Sequence, residues 1–277
     1  MTTRQTKSAN ALIEEKPDIQ VIAKIETMQR GYVDKWHKHP WHQIIFPFEG
    51  ILQTRVANSQ YVVPHTGILF IPAHTYHESF VMTQTKFIGI YLNPKINIDY
   101  PQHTKAVSAT ALMKELILHI NDSMPVMKAL DKNVTKLLDV LVNQLINADT
   151  YDMTLLLPSD RRLMLIFKTL MGNLQLETTL SQWAKQVGAS ERTLSRLFTK
   201  ELGMSFPLWR QRLRIVSSLS LLEDNLSIQE VAFKVGYSSD SSYIYAFKKF
   251  IKQTPQQYRN NDYKLSCRIK PEEQHTT

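Results

Sequence analysis

Two groups of residues have types and spacings that could do chemistry. Six histidines fall in one short window of the 277-residue chain: His37, His39, His42, His65, His74 and His77. Imidazole rings can bind divalent metals or hydrogen-bond a small ligand. The second group is basic, because residues 158–277 contain 18 Lys or Arg against 11 Asp or Glu, whereas residues 1–157 contain 15 against 14. The first half is therefore a candidate for ligand or metal binding, and the second half for binding a polyanion.

Composition excludes several classes of protein. A hydrophobic fraction of 43% with only 8 Gly and 12 Pro indicates a packed globular chain, long enough for two domains. The single cysteine, Cys267, cannot form an internal disulfide, and residues 1–10 lack the apolar run of a secretory signal. No apolar stretch approaches the roughly 18 to 20 residues that span a bilayer. We therefore expect a cytoplasmic protein that does not cross a membrane.

The first half has the short apolar stretches and turn signals of an antiparallel sheet protein. The predicted strands are residues 20–27, 42–48, 51–57, 60–63, 68–71, 78–82 and 87–92. Turn-forming residues such as Gly50 and Asn58 separate them, because these residues adopt the backbone angles of tight turns. This many short strands predicts a sandwich or a barrel.

From Lys105 onward the apolar spacing becomes helical. One stripe contains Leu112, Leu116 and Ile120, and a second contains Val134, Leu137, Leu138, Leu141, Val142 and Leu145. We predict two amphipathic helices whose apolar faces pack on the barrel, pair with the same helices of a second subunit, or divide these two roles between them. Residues 149–158, which end in Pro158, are predicted to be a linker.

The second half is helical throughout and repeats one order: short helix, tight turn, longer helix. The predicted caps and turns are Thr179, Gly188, Ser190 and Gly203 in the first unit, and Ser227, Gly236 and Ser239 or Asp240 in the second. A long helix over residues 207–222 joins the units. In a helix-turn-helix the second helix lies in a DNA major groove, so two such units would present reading helices roughly 34 Å apart, one turn of B-DNA.

Three strings make this half distinctive. They are Gly236-Tyr237-Ser238-Ser239, Phe247-Lys248-Lys249-Phe250 and Thr254-Pro255-Gln256-Gln257-Tyr258-Arg259. With the first unit, they resemble the DNA-binding domain of AraC/XylS-type transcription regulators over residues 158–260. The chain departs from that family at Tyr245, where an Arg is usual, and at Lys252, where a Gly is usual.

The resemblance implies which side chains contact DNA. Base contacts fall to Arg192, Ser195 and Arg196 on the first reading helix and to Asp240, Ser241, Ser242 and Tyr245 on the second. Phosphate contacts fall to Lys200, Arg210, Lys248 and Lys249. Arginine suits guanine because it donates two hydrogen bonds to O6 and N7. Asp240 could instead cap its helix, and any single surface cation could simply be solvated.

In the first half, His37-Lys38-His39 and Pro72-Ala73-His74-Thr75-Tyr76-His77 resemble the two motifs of the cupin fold, as found in the N-terminal sensor domain of AraC-type regulators. The resemblance implies a metal-ligand set of His37, His39, Gln43 and His77, in which Gln43 replaces the usual acidic ligand and His74 stands where a Gly is usual. Such donors could hold a divalent ion such as Zn, Ni or Fe. Alternatively, the rings could line a metal-free pocket or be structural. The predicted effector-pocket residues are His39, Trp41, Gln43 and His77.

Together these patterns predict an α+β protein. Its expected parts are a mobile arm (residues 1–17), a cupin-like antiparallel β-barrel that acts as a sensor (18–104), two helices for packing and dimerisation (105–148) and a linker (149–158). An all-α double helix-turn-helix domain (159–262) and a polar tail (263–277) follow.

The leading hypothesis for function is a homodimeric AraC-type regulator that binds double-stranded promoter DNA and a small-molecule effector. RNA polymerase would be a further partner if the protein activates transcription. A metal-dependent cupin enzyme is one alternative, which the amide of Gln43 disfavours because that chemistry needs an acidic group or an open metal site. An architectural DNA binder without an effector is another. The sequence shows no Ser-His-Asp arrangement or phosphate-binding glycine loop that would support other enzymes.

Overall fold

The computed structural model describes residues 13–14, 19–29, 31–57, 59–81, 84–123, 126–127, 132–148, 154–156, 158–224 and 226–266. Most of the predicted arm and tail, together with Cys267, lie outside these residues. The chain divides into two compact units, Met1–Val56 with Val63–Tyr151 and Ala57–Val62 with Asp152–Thr277. Among the described residues, no helix is both long enough and apolar enough to cross a bilayer.

The N-terminal half is built from antiparallel strands. Their bounds are β1 (Val21–Met28), β2 (Val33–His37), β3 (His42–Glu49), β4 (Ile51–Val56), β5 (Ser59–Pro64), β6 (Gly67–Ile71), β7 (His77–Val81), β8 (Thr85–Leu92), β9 (Lys105–Ser108), β10 (Val126–Met127) and β11 (Thr154–Leu156). One sheet has the order β10-β1-β8-β3-β6-β9 and the other β11-β5-β4-β7-β2. The predicted antiparallel β-domain is confirmed, and its strands form two sheets rather than one closed barrel.

Three strands correct the expectations from sequence. The helical spacing predicted from Lys105 is wrong at its start, because β9 pairs with β6 and places Lys105 opposite Phe70. Ala106 and Val107 are buried in that pairing, which outweighs local helical preference. Within the predicted linker, β11 pairs with β5. Strand β2 lacked a sequence signal because it is an edge strand with mostly exposed side chains.

The two predicted amphipathic helices are present as α1 (Ala111–Ser123) and α2 (Lys132–Asn147). The buried face of α2 consists of Val134, Leu138, Leu141, Val142 and Leu145, so the predicted stripe packs inside the chain except at half-buried Leu137. On α1, Leu116 and Ile120 are buried, whereas Leu112 is exposed. Of the two uses predicted for these stripes, the structure shows packing within the chain.

The C-terminal half contains α3 (Arg161–Gly172), α4 (Leu180–Gln186), α5 (Glu191–Leu202), α6 (Phe206–Glu223), α7 (Ile228–Lys234), α8 (Asp240–Ile251) and α9 (Pro255–Ser266). Helices α4 and α7 have seven residues each and begin with capping boxes, Thr179 with Gln182 and Ser227 with Glu230. Helices α5 and α8 have twelve residues each, with Ser190 and Ser239 as N-caps. The repeat predicted from the cap residues is therefore confirmed, with Ser239 rather than Asp240 as the cap.

Each helix-turn-helix unit has its own core. In the first unit, Trp183, Phe198 and Trp209 are buried together with four leucines of α3 and α5, Leu163, Leu170, Leu194 and Leu202. In the second, the Tyr243 hydroxyl donates to Ser218 Oγ of α6 at 2.9 Å, and the Phe247 and Tyr258 rings meet edge to face. These contacts orient both α5 and α8 so that one side is buried and the other is free.

Both positions at which the chain lacks an expected glycine adopt left-handed backbone angles. His74 has φ of 62° and Lys252 has φ of 64°. Lys252 ends α8 with the same geometry with which Gly203, φ 64°, ends α5. A side chain with a Cβ pays roughly 1–2 kcal/mol for this conformation, so the sequence departures store strain.

We expect Lys252→Gly to raise the free energy of unfolding of the C-terminal domain by about 1 kcal/mol, because glycine removes the left-handed strain at the end of α8. Denaturant unfolding of the full chain would measure this. Lys252→Ala removes the charge but keeps the strain, so it should change little. Gly203→Ala should lose about 1 kcal/mol. Equal stabilities for K252G and K252A would refute the assignment.

Candidate DNA-binding surface and imidazole cluster

The first reading helix, α5, presents a continuous polar face. Leu194, Phe198 and Leu202 are buried on its inner side. The predicted base-contacting residues Arg192, Ser195 and Arg196 are all exposed, as are Thr199 and Lys200. In the part of the chain that the structure describes, neither Arg192 nor Arg196 hydrogen-bonds or pairs with another residue. Both guanidinium groups are therefore available to an external acceptor.

The second reading helix, α8, buries Tyr243, Ala246, Phe247 and Ile251. Its opposite face carries the predicted base-contacting residues Asp240, Ser241, Ser242 and Tyr245, all exposed. The Tyr245 side chain is 72% exposed, which no packing role explains.

The polar residues that begin α8 already have partners inside the helix. Asp240 Oδ1 accepts the Ser241 amide at 2.7 Å, and the Ser242 hydroxyl donates to the Ser239 carbonyl at 2.9 Å. These bonds hold the first turn and compete with base contacts. Tyr245 is thus the freest side chain on the predicted face of α8.

The predicted phosphate contacts divide into two groups. Lys200, Lys248 and Lys249 are exposed in the last turns of α5 and α8. At these C-terminal ends the positive side chains also interact favourably with the negative ends of the helix dipoles. Arg210 differs because it is half-buried: its Nη1 donates to the Thr178 carbonyl at 3.3 Å and its guanidinium lies 5.1 Å from the Phe206 ring centroid. The structure therefore gives Arg210 an internal contact that the sequence did not indicate.

The N-terminal half brings three of its six clustered histidines together. His37 and His77 are opposite each other in the β2–β7 pair, and His39 follows β2. One ring nitrogen from each lies within 4.8 Å of the other two. His39 and His77 are buried and His37 is half-buried. These are the three histidines of the predicted ligand set, whereas His42, His65 and His74 are not in the group.

Hydrogen bonds to backbone carbonyls determine the tautomer of each ring in this imidazole cluster of His37, His39 and His77. The Nδ1 atoms lie 2.7, 2.8 and 2.9 Å from the carbonyl oxygens of Lys35, Trp41 and Thr75. A carbonyl oxygen only accepts, so each Nδ1 carries the proton and donates it. Each neutral ring consequently has an Nε2 lone pair free to act as a ligand, the arrangement typical of metal-binding histidines.

Gln43 lies beside the three histidines, and its contact with His39 has no hydrogen to share between the two atoms. Its Nε2 donates to the Tyr91 hydroxyl at 3.0 Å, and that hydroxyl donates to Glu26 at 3.3 Å. The Gln43 Oε1 therefore faces His39 Nε2, 3.2 Å away. This contact is a hydrogen bond only if His39 takes a second proton, and burial lowers the pKa of His39. Two lone pairs face each other, which a cation between them would satisfy.

A carboxylate that sequence reasoning did not identify lies beside the cluster. Asp34 Oδ2 is 3.8 Å from His37 Nε2, and burial raises the pKa of Asp34. Burial also lowers the pKa of His77 to about 3, so this ring stays neutral and able to bind a metal at neutral pH. The donors present, three imidazoles, an amide oxygen and a nearby carboxylate, fit a divalent transition metal.

Trp41 has a different position from the other predicted pocket residues. Its carbonyl orients His39, but its side chain is buried in an apolar cluster with Ile13, Ile19, Ile22 and Tyr91. It supports the wall behind the cluster. The other three predicted pocket residues, His39, Gln43 and His77, lie close to one another.

Comparisons with known proteins agree with the C-terminal geometry. Residues 183–261 match the family described as "Helix-turn-helix domain". The HTH-type transcriptional regulator NimR of Escherichia coli K12 is 28% identical over 222 residues, which cover 80% of this chain and 81% of NimR. The HTH-type transcriptional regulator RipA of Corynebacterium glutamicum is 37% identical over 99 residues, which cover 36% of this chain and 30% of RipA.

Two solved structures are similar to this chain, one over less than half of it and the other over most of it. A DNA-binding transcriptional dual regulator from Escherichia coli K-12 covers 39% of this chain and 96% of its own, with 26% identity and a TM-score of 0.35. ToxT from Vibrio cholerae covers 87% of this chain and 98% of its own, with 11% identity and a TM-score of 0.38.

Two helix-turn-helix units, each with a free polar face on its second helix, define a DNA-binding protein. The family match and the relatives narrow the class. The chain is a DNA-binding transcription regulator with a helix-turn-helix domain at residues 183–261, and over most of its length it is similar to an HTH-type transcriptional regulator.

Proposed function

We propose that this protein is an effector-responsive regulator that binds two adjacent major-groove segments of a promoter. The observation that carries the proposal is the pair of equivalent reading helices, α5 and α8, each with an exposed polar face. Its place of action is the cytoplasm, where promoter DNA is, and its role is regulatory rather than enzymatic.

On the first reading helix, Arg192, Ser195 and Arg196 contact bases in this proposal, because their side chains are exposed and the two arginines have no described partner. On the second, Tyr245 contributes most, through its hydroxyl or by packing on a thymine methyl. Asp240, Ser241 and Ser242 contribute less because their groups already bond within the first turn. Lys200, Lys248 and Lys249 neutralise phosphates.

The direct test is selection of genomic DNA fragments by the purified full-length protein at near-physiological salt, followed by sequencing. We expect enrichment of fragments that share two sequence blocks about one helical turn apart. Retention of DNA without any enriched motif would instead favour an architectural DNA binder. Absence of retention would contradict the proposal.

Two variants separate base contacts from phosphate contacts. Arg196→Ala should weaken binding to the selected site by about 1–3 kcal/mol and relax preference at one base position. Lys248→Ala should weaken binding to all sequences about equally and lower the salt dependence of log K by about one unit. Fluorescence anisotropy on selected and scrambled duplexes at several salt concentrations measures both effects. Identical behaviour of the two variants would count against sequence-specific contacts by Arg196.

For the N-terminal domain, the imidazole cluster favours a second element of the proposal, a divalent cation site. His37, His39 and His77 would hold the ion through Nε2, with the Gln43 amide oxygen as a fourth donor. A bound ion would supply a positive centre for an anionic or carbonyl group of an effector. The cupin-like description of this domain rests on the same residues.

Homodimerisation stays a prediction, but the surface that would form the interface differs from the one that the sequence suggested. The apolar stripe of α2 is used inside the chain, so it cannot also form an interface. Leu112, Val140 and Ile146 are the exposed apolar residues that α1 and α2 leave for a second copy. RNA polymerase would be a partner if the protein activates transcription.

A further inference from the structure

An arginine in the middle of α6 packs directly against the turn of the second helix-turn-helix unit. Gly236 forms that turn with φ of 88°. A Cβ on Gly236 would lie 2.6 Å from Arg214 Nη2 and 2.6 Å from the Leu174 carbonyl oxygen. The Arg214 guanidinium also lies 5.9 Å from the ring centroid of Tyr237, the next residue of the turn. The turn at Gly236 therefore packs against the Arg214 guanidinium without room for a side chain.

The same arginine is bonded to the first unit. Arg214 Nε donates to the Leu174 carbonyl at 3.1 Å, in the segment that joins α3 to α4. The neighbouring Gln175 donates through Nε2 to the Phe233 carbonyl at 3.0 Å, at the end of α7. The entry of the first unit, the connecting helix and the turn of the second unit thus meet at one junction, formed by Leu174, Gln175, Arg214, Gly236 and Tyr237.

Two other half-buried arginines of this domain, Arg210 and Arg259, donate hydrogen bonds to one unit each. Arg210 binds the Thr178 carbonyl, which belongs to the first unit. Arg259 donates to the carbonyls of Leu222 and Leu226, at the approach to the second unit. Arg214 contacts both units, so its removal would loosen one unit relative to the other without removing a reading residue.

We propose that the junction around Arg214 sets the distance and angle between α5 and α8, and so determines which spacing of the two DNA blocks the protein accepts. The inference rests on the proposed function, because it assumes that both helices contact DNA together. Rigid coupling penalises a site whose blocks are one base pair too close or too far, since each step moves a block by about 3.4 Å and rotates it by about a tenth of a turn. A loosened junction absorbs that change.

The test uses the full-length protein and a pool of random-sequence duplexes. Parent, Arg214→Met and Gln175→Ala proteins are each used for selection, with Arg210→Met as the matched control on the same helix. We expect the parent and R210M proteins to enrich one block spacing. R214M should enrich neighbouring spacings as well, and Q175A should show a smaller change in the same direction.

Direct binding then gives the magnitude. On the selected site and on versions with one base pair inserted or deleted, the parent should discriminate about tenfold or more, and R214M about threefold or less. Thermal unfolding checks that each variant is folded. If R214M does not fold, Q175A decides, because Gln175 is exposed and its loss leaves the core intact.

The outcomes distinguish the inference from the proposed function. A parent protein that enriches no two-block motif overturns both. A parent that enriches one spacing, with folded R214M and Q175A variants that keep the same discrimination, overturns the role of the junction alone. Equal loosening by R210M would also overturn it, because the hydrogen bond that the structure describes for Arg210 goes to the first unit.

Discussion

Replacement of His77 by alanine should lower the affinity of the protein for Co²⁺ or Zn²⁺ at least about 100-fold. The change removes one of three Nε2 donors whose Nδ1 protons are held by backbone carbonyls. Titration with Co²⁺, followed by its visible absorption, would measure the affinity and report the coordination geometry. His74→Ala is the matched control, since His74 is exposed near the cluster but outside it.

The pH dependence of stability gives a second readout for the same variant. Burial lowers the pKa of His77 to about 3, whereas an unfolded imidazole titrates near 6.5. Below about pH 6.5 the unfolded chain binds a proton at His77, whereas the folded chain does not. The contribution of neutral His77 to the free energy of unfolding is therefore fully present above that pH and is lost as the pH falls toward 3. H77A should lose this part of the acid sensitivity. Equal and weak cation binding by parent, H77A and H74A proteins would indicate a metal-free pocket.

Replacement of Gly236 by alanine should destabilise the C-terminal domain by about 3 kcal/mol or more. The left-handed backbone costs a residue with a Cβ roughly 1–2 kcal/mol, and overpacking against a fixed carbonyl adds about 1–3 kcal/mol. The carbonyl of Leu174 and the guanidinium of Arg214 are the groups that the new methyl would meet. Urea unfolding of the full chain, followed by far-UV circular dichroism, would measure the loss.

Gly188→Ala provides the control for this experiment. Gly188 occupies the equivalent turn of the first unit with φ of 66°, but no atom of the described residues outside the turn itself lies within 4 Å of its Cβ position. It should therefore lose only the backbone part, about 1–2 kcal/mol. Equal losses in G188A and G236A would show that the crowding around Gly236 relaxes at no cost.

The features predictable from sequence were the local ones. Helix caps such as Thr179 and Ser190, and glycines that end helices, act within a few residues, so the two helix-turn-helix units and their free faces could be derived in advance. The resemblance of His37-Lys38-His39 and of residues 72–77 to the two cupin motifs likewise implied that these histidines lie beside His77. The sequence also showed that Lys252 stands where a glycine is usual, although it did not show that the Lys252 backbone is left-handed.

The features that sequence did not indicate depend on distant partners. Strand β9 pairs with β6, whereas the sequence assigned residues 105–108 to the helical region that contains Leu112, Leu116 and Ile120. Asp34 reaches the imidazole cluster because β2 pairs with β7. Arg210 and Arg214 look like surface cations in sequence, yet both donate to backbone carbonyls of a segment more than thirty residues away. Pairing and burial of this kind carry no local pattern.

The sheet topology also has a consequence for the order of folding. Strand β1 pairs with β8 and with β10, so the first sheet joins residues about a hundred positions apart. Each helix-turn-helix unit instead joins residues only a few dozen positions apart, and its first helix begins with a capping box that forms locally. Chains dominated by distant pairings fold orders of magnitude more slowly than local helical ones. On refolding of the full chain from denaturant, the reading helices should therefore form before the two sheets of the β-domain assemble.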